Sequence, residues 1–229
     1  MVVTVHHLGV SQSERIVWLC EEMGLDYELK TYKRSPLLSP PKYLALHPLG
    51  AAPVIQDGDI TLAESGACVE YITEVHGSGK FTIKPREKNY ADYLYWREFA
   101  NGSLQPAIGR AMALQFAGIP EDNNIRVRYD NKIAQLLQFA DQRLGETKAW
   151  LAGEEFTTAD IMIVFSLTTM RKFFAFDLNR YENVLAYLQR VSGREAYRRA
   201  MEKGDPEVDV QSLMQGTSPP LVEALQKRS

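Results

Sequence analysis

The stretch VVTVHHLGVSQSERIVWLCEEMG, residues 2–24, sets the terms for the rest of the chain. It opens on a β-branched run, residues 2–5, which reads as a short strand. A loop carrying Gly9, Ser11 and Ser13 follows. Next comes a helix whose apolar residues Ile16, Leu19, Cys20 and Met23 repeat at i, i+3, i+4 and i+7. Glu21 and Glu22 fall off that stripe, and Gly24 suits the position just past the helix end. Two hydroxyls therefore stand where a strand gives way to a helix. The unpaired N–H groups and the positive end of the helix dipole there favour an anion. Ser13 reads as the N-cap. Ser11 lies outside the helix, as ordinary turn chemistry or as a hydroxyl facing a ligand.

The pattern of elements changes once along the chain. YELKTY, residues 27–32, alternates and reads as a second strand. Pro36, Pro40 and Pro41 break any helix in the loop that follows, and residues 42–47 suit a short helix. In HPLGAAPVI, residues 47–55, Pro53 stands at the start of a strand, and a cis Ala52–Pro53 bond would serve a close approach there. Asp57-Gly58 is a hairpin signal between two short strands. ESGACVEYITEVHG then gives a helical stripe of Cys68, Tyr71, Ile72 and Val75 ending at Gly77. The first 78 residues thus read β-α-β-α-β-β-α, and Gly77-Ser78-Gly79 with Pro85 mark a linker. From residue 86 onward the periodicity is helical. A long aromatic-rich helix over 89–112 is interrupted near Asn101-Gly102 and Pro106, and a second helix spans 125–144. FTTADIMIVFSL, residues 156–167, offers Thr157 as N-cap and Asp160 as its carboxylate partner, heading a helix apolar on nearly all sides and so destined for burial. Two more helices, 183–191 and 194–203, precede residues 205–229, which read as a tail over the surface.

Composition excludes several classes. At 229 residues, 45% hydrophobic and 24% charged, the chain suits one large or two small globular domains. A net charge of −3 gives no basic face for nucleic acid. Apolar runs stay short of the ~18 residues of a membrane span, and the N-terminus lacks the pattern of a secretory signal. The two cysteines, Cys20 and Cys68, fall on apolar helix stripes. They read as buried thiols of a reducing compartment, with no spacing that suggests a metal or dithiol site.

A small β-α-β-α-β-β-α unit with a proline before its third strand, joined to an all-helical domain, resembles the cytosolic glutathione transferases: a thioredoxin-like α/β domain (residues 1–79) and an all-α C-terminal domain (residues 86–229). The resemblance rests on HHLGVSQSERIVWLCEEMGLDYEL, HPLGAAPVI, TLAESGACVEYI and FTTADIMI, in that order. The opening piece is most similar to the serine-type, Gtt-like fungal and bacterial group. The resemblance implies that Ser11, or Ser13 as second candidate, donates a hydrogen bond to the glutathione sulfur. It implies that Ala52 before Pro53 pairs backbone to backbone with the cysteinyl part, and that Glu64 and Ser65 hold the γ-glutamyl end. Thr157 and Asp160 match the family's helix-capping box, which is structural. Ala51 stands where relatives often carry a lysine, leaving Lys42 and His47 as candidates for the glycyl carboxylate. Asn101-Gly102-Ser103 stands where relatives commonly read E-G-S. Tyr93 and Trp96 read as core aromatics or as the lining of an apolar electrophile pocket.

The leading expectation is an enzyme that conjugates reduced glutathione to apolar electrophiles, with glutathione peroxidase activity as a companion and no metal. A thiolate is the nucleophile, and a hydroxyl donor beside a helix N-terminus favours it. One alternative is glutathione-dependent thiol-disulfide reduction, which needs a cysteine where this chain has serines. Another is a non-catalytic glutathione-binding or regulatory module. The resemblance further implies a cytoplasmic homodimer with a detoxification role.

Overall fold

The computed structural model of the chain describes residues 2–226. The chain divides into two compact units, Met1–Thr82 with Arg190–Leu213 and Val222–Ser229, and Ile83–Gln189 with Met214–Leu221.

The first unit is built on a four-stranded sheet in the order β2-β1-β3-β4. β1 (Val3–Leu8) sets Val3 and Val5 into the core and pairs in parallel with β2 (Tyr27–Tyr32), Val3 opposite Tyr27 and Leu8 opposite Tyr32. The connection is α1 (Glu14–Met23), as a parallel pair requires a crossover. Its C-terminus is closed by Gly24 at φ 66°, a left-handed residue whose N–H returns to the last carbonyls. After the short α2 (Pro41–Leu44), β3 (Val54–Asp57) runs antiparallel to β1 and folds back through Gly58 and Asp59 into β4 (Ile60–Ala63). α3 (Ser65–Tyr71) then leads into a π-helical turn, Ile72–His76, where the sequence predicts an unbroken helix. This is the thioredoxin-like sheet that the sequence predicts.

One expectation does not hold. The sequence assigns residues 205–229 to a surface tail, of which 227–229 lie outside the described residues. Instead, Asp205, Leu213, Met214 and Leu225 are buried, and α10 (Val210–Leu213) and α11 (Glu223–Gln226) are formed. The helix α9 (Glu195–Gly204) packs on α1 inside the first unit. Charge explains that placement. Arg194 meets Glu22 at 2.5 Å, while Arg199 and Lys203 reach Glu21 at 3.0 and 2.5 Å. Glu21 and Glu22, off the apolar stripe of α1, are thus covered by the cations of α9 and the residue before it. Trp18 and Tyr197 complete the seam edge to face, ring centroids 4.9 Å apart.

In the second unit, α4 (Tyr90–Phe99) and α5 (Gln105–Phe116) are joined by a π-helical turn, Ala100–Leu104. The interruption predicted at Asn101-Gly102 is that turn, and Pro106 sits in the first turn of α5, where a missing N–H costs little. α6 (Asn124–Thr147) takes Asn123 as its N-cap. Every residue of α7 (Thr158–Leu167) is buried, and its start carries the predicted capping box. Asp160 accepts from the Thr157 N–H at 2.9 Å and also from the Leu151 N–H and the Tyr187 hydroxyl. α8 (Glu182–Ser192) begins over Asp141, whose carboxylate accepts from the Val184 N–H at 3.0 Å.

Candidate functional site

The loop between β1 and α1 holds a continuous buried hydrogen-bond chain. Ser11 Oγ lies 2.7 Å from Ser13 Oγ, and Ser13 Oγ lies 2.9 Å from His7 Nδ1. His7 Nε2 in turn meets Asp205 Oδ2 at 3.0 Å. Ser11, Ser13, His7 and Asp205 are all buried. Ser13 occupies the capping position of α1 yet makes no side-chain cap. Its hydroxyl instead turns back to the end of β1, accepting from the Leu8 N–H at 3.1 Å. Ser13 thus stands at the N-cap position, as the sequence predicts, but its side chain does not cap the helix: the imidazole and the strand end offer its oxygen better partners than the first helical turn does. Ser11 Oγ accepts from the Ser13 N–H at 3.2 Å, so the hydroxyl is fixed at the mouth of the helix.

A second set of bonds ties this loop to the other two predicted contact points. The Ala52–Pro53 peptide is cis, and Gln12 Nε2 donates to the Ala52 carbonyl at 2.9 Å. Arg15 donates from Nη1 to Gln12 Oε1 at 2.9 Å and to Ser65 Oγ at 2.8 Å. The start of α1, the cis-proline turn and the start of α3 are thereby held as one constellation. Burial lowers Arg15 to about 9, with Glu14 opposing, so its guanidinium remains a cation at neutral pH. Glu64, exposed at the head of α3, sits at φ 69°, ψ 117°. A non-glycine residue there is strained, and such strain collects at binding sites.

The other predicted residues fall elsewhere. Lys42 is exposed on α2, and half-buried His47 accepts from the Leu49 N–H at 3.3 Å. In the second unit Tyr93 is buried with its hydroxyl 2.8 Å from that of Thr158. Trp96 is buried too and stacks on Phe139 at 5.2 Å, beside a cleft of about 290 Å³ that Tyr95 also lines. Burial raises both Cys20 and Cys68 to about 12. No group of three or more His, Cys, Asp or Glu side chains that could hold a metal occurs among the described residues.

Sequence reasoning missed four members of this site: His7, Gln12, Arg15 and Asp205. Two left a trace. His7 shares the strand parity of buried Val3 and Val5, and Arg15 lies one turn before Trp18 and Leu19 on the buried face of α1. Asp205 is 198 residues from its imidazole, and no local pattern announces it.

A thioredoxin-like unit with a serine-headed first helix and a cis-proline turn, followed by an all-helical unit, defines the architecture of a glutathione-dependent transferase. Residues 1–74 match the N-terminal domain of the glutathione S-transferases, and residues 111–195 their C-terminal domain. The chain is 33% identical over 217 residues to glutathione S-transferase 3 of Schizosaccharomyces pombe, covering 88% of each. A crystal structure of a glutathione S-transferase from Actinobacillus pleuropneumoniae superposes with a TM-score of 0.82 at 31% identity, covering 92% of this chain and 96% of that one. At the level of fold, a glutathione transferase homolog from Lodderomyces elongisporus, solved with two GSH per subunit, gives 0.73 at 19% identity, over 89% and 99% of the two chains. The chain belongs to the glutathione S-transferase family and is a transferase.

Proposed function

We propose that this protein binds reduced glutathione along Ser11, Ala52–Pro53 and Glu64–Ser65 and transfers it to apolar electrophiles. The observation that carries this reading is the hydrogen-bonded set Gln12–Arg15, which joins the Ala52 carbonyl and the Ser65 hydroxyl to the helix start bearing Ser11. Glu64 suits the ligand's α-ammonium; Ser65, with buried cationic Arg15 behind it, suits the α-carboxylate. Ser11 donates to the sulfur, and the N-terminus of α1 adds its positive end. A thiol of ordinary pKa ~8.5 needs only ~1.4 kcal/mol to fall by one unit, within the reach of one charge-assisted hydrogen bond.

Thiol-disulfide reduction is the weaker reading. Both cysteines are buried and held near 12, far from the thiolate that exchange demands. We assign a homodimer contact to the aromatic surface where Tyr95 is 52% and Phe139 43% exposed, and light scattering tests it. Hydroperoxide reduction is proposed as a secondary activity, and the cytoplasm as the compartment.

Ligand linkage tests the binding. At 100 times Kd, glutathione stabilises by about 2.7 kcal/mol, which for a chain of this size raises Tm by roughly 5–10 °C. A Tm that does not move, together with no conjugation of an aryl halide, would overturn the proposal. A shift without turnover would point to the non-catalytic module.

A further inference from the structure

We propose that His7 and Asp205 form the inner end of a proton relay that takes the thiol proton of glutathione through Ser13 and Ser11. The inference rests on the glutathione-binding reading above and adds what that reading lacks, a group to receive the proton.

The hydrogen-bond valences fix the direction. Asp205 also accepts from the Val10 N–H at 2.8 Å through Oδ1; with Oδ2 as the acceptor in the 3.0 Å contact, the facing Nε2 carries the hydrogen. In neutral His7, Nδ1 is then an acceptor. Ser13 has one hydrogen and two candidate acceptors, Nδ1 at 2.9 Å and the Leu8 carbonyl at 3.3 Å, and the shorter contact takes it. Ser13 Oγ receives from the Leu8 N–H and keeps one lone pair, which the Ser11 hydroxyl fills at 2.7 Å. Ser11 Oγ receives from the Ser13 N–H at 3.2 Å and keeps one lone pair toward the mouth of the site. In the resting arrangement every hydroxyl hydrogen thus points inward, toward the imidazole, and Ser11 presents an acceptor.

A thiol arriving there donates to Ser11. Each of three protons then moves one place. The S–H, Ser11 O–H and Ser13 O–H bonds break, while new O–H bonds form on Ser11 and Ser13 and a new N–H bond forms on Nδ1. The products are a thiolate and an imidazolium paired with Asp205, and total charge is unchanged. Afterwards Ser11 donates to the sulfur anion, Ser13 donates to Ser11, and Nδ1–H donates to Ser13. Both hydroxyls keep a donor and an acceptor role before and after, so no buried polar group is orphaned at either stage. When the conjugate leaves, the proton returns along the same path to water.

The surroundings suit a shuttle. His7 is fully buried. A Cβ on Gly204 would sit 3.1 Å from Nε2, and one on Gly9 would sit 3.3 Å from Asp205 Oδ1, so two glycines permit the approach of carboxylate and ring. Asp205 is the charged group that contacts the imidazole. The Arg34 guanidinium, bonded to the Gly9 and Val10 carbonyls, lies within electrostatic reach of Asp205. His6, the neighbouring titratable group on β1, bonds Tyr32 and Gln56 instead.

The test counts protons on the unmodified protein. Isothermal titration calorimetry of glutathione near pH 6.5, in buffers of different ionisation enthalpy, gives the protons released. Ultraviolet absorbance of the bound thiolate gives the fraction ionised. The relay predicts ionised, bound ligand with close to zero protons released; simple hydrogen bonding by Ser11 predicts about one per thiolate. One released proton overturns the relay while leaving glutathione binding intact, whereas absence of binding heat overturns the underlying reading. His7→Gln and Asp205→Asn are expected to bind glutathione within a few-fold of the parent and lose at least tenfold of the thiolate fraction at pH 6.5. Unchanged thiolate absorbance in a folded His7→Gln variant overturns the relay as well.

Discussion

Replacing Ser11 by alanine removes one hydroxyl whose two structural partners are the Ser13 N–H and the Ser13 hydroxyl. The stability cost is small, about 1–2 kcal/mol for the buried N–H left without its acceptor. The chemical cost is larger and depends on pH. A hydrogen bond to an anion contributes about 1.5–3 kcal/mol, or about one to two units of thiol pKa. If glutathione ionises near 7 in the parent, the alanine variant returns it toward ~8.5. At pH 6.5 kcat/KM with an aryl halide should fall about 10- to 100-fold. At pH 9, where sulfur ionises without help, the loss should shrink to about threefold or less. The assay is the full pH profile of kcat/KM for both proteins, with circular dichroism confirming the fold. A loss equally deep at pH 9 would mean that Ser11 positions the ligand and does not ionise it. No loss at either pH would remove Ser11 from the mechanism.

Three further outcomes follow from other parts of the molecule. Arg15→Lys keeps the charge, but its Nζ ends one bond short of the Nη1 that donates to both Gln12 and Ser65; glutathione should bind about tenfold more weakly by calorimetry while kcat changes less. Cys20 and Cys68 should resist a maleimide at pH 7 in the native protein and react promptly in denaturant, since burial holds both thiols near 12; fast native labelling would contradict that burial. Burial is also the main reason Asp160 is raised to about 6, against the hydrogen bonds from Thr157, Leu151 and Tyr187. A folded pKa above the ordinary 3.8 means that the stability contributed by this group is complete below about pH 4 and is lost as pH climbs toward 6, about 3 kcal/mol in all. Denaturant unfolding from pH 4 to 7 should show that decline, and Asp160→Asn should flatten it around a lower overall stability.

What could be read from the sequence was local. Alternation gave β2 its bounds, Gly24 its helix end, and Asp57-Gly58 its hairpin, because each depends on a few neighbouring residues. The Thr157–Asp160 box was legible for the same reason. The π-helical turn Ile72–His76 was not, since an extra residue per turn leaves little mark on a 3.6 period, whereas Ala100–Leu104 showed as the interruption at Asn101-Gly102. Of the candidate site, Ala52, Glu64 and Ser65 came from the family resemblance, while Ser11 and Pro53 stood out through their places at strand and helix ends. Gln12 and Arg15 did not, because a polar side chain on a predicted helix is ordinarily assigned to solvent. Ser13 departs from its expected role because N-cap preference is a statement about the helix alone, while the hydroxyl answers to His7 and Leu8 behind it.

The placement of Asp205 shows how far packing can decide chemistry. α9 ends at Gly204, so the residue that follows is delivered wherever that helix docks. Docking is governed by Glu21 and Glu22, two carboxylates on a helix face that periodicity alone would leave to water. Burial of Glu21 opposes its charge, but Lys203, Tyr27 and Arg199 together outweigh that and hold its pKa below the usual carboxylate value. An ionised Glu21 therefore keeps α9 seated, and a seated α9 brings a carboxylate against a histidine that strand parity had already turned inward. The N-terminal strand and helix supply hydroxyls, imidazole and anion-friendly dipole; residues near position 200 supply only the counter-charge. The imidazole and its carboxylate partner therefore come from opposite ends of the chain, which is why the first 78 residues display the serines and the histidine but not Asp205 behind them.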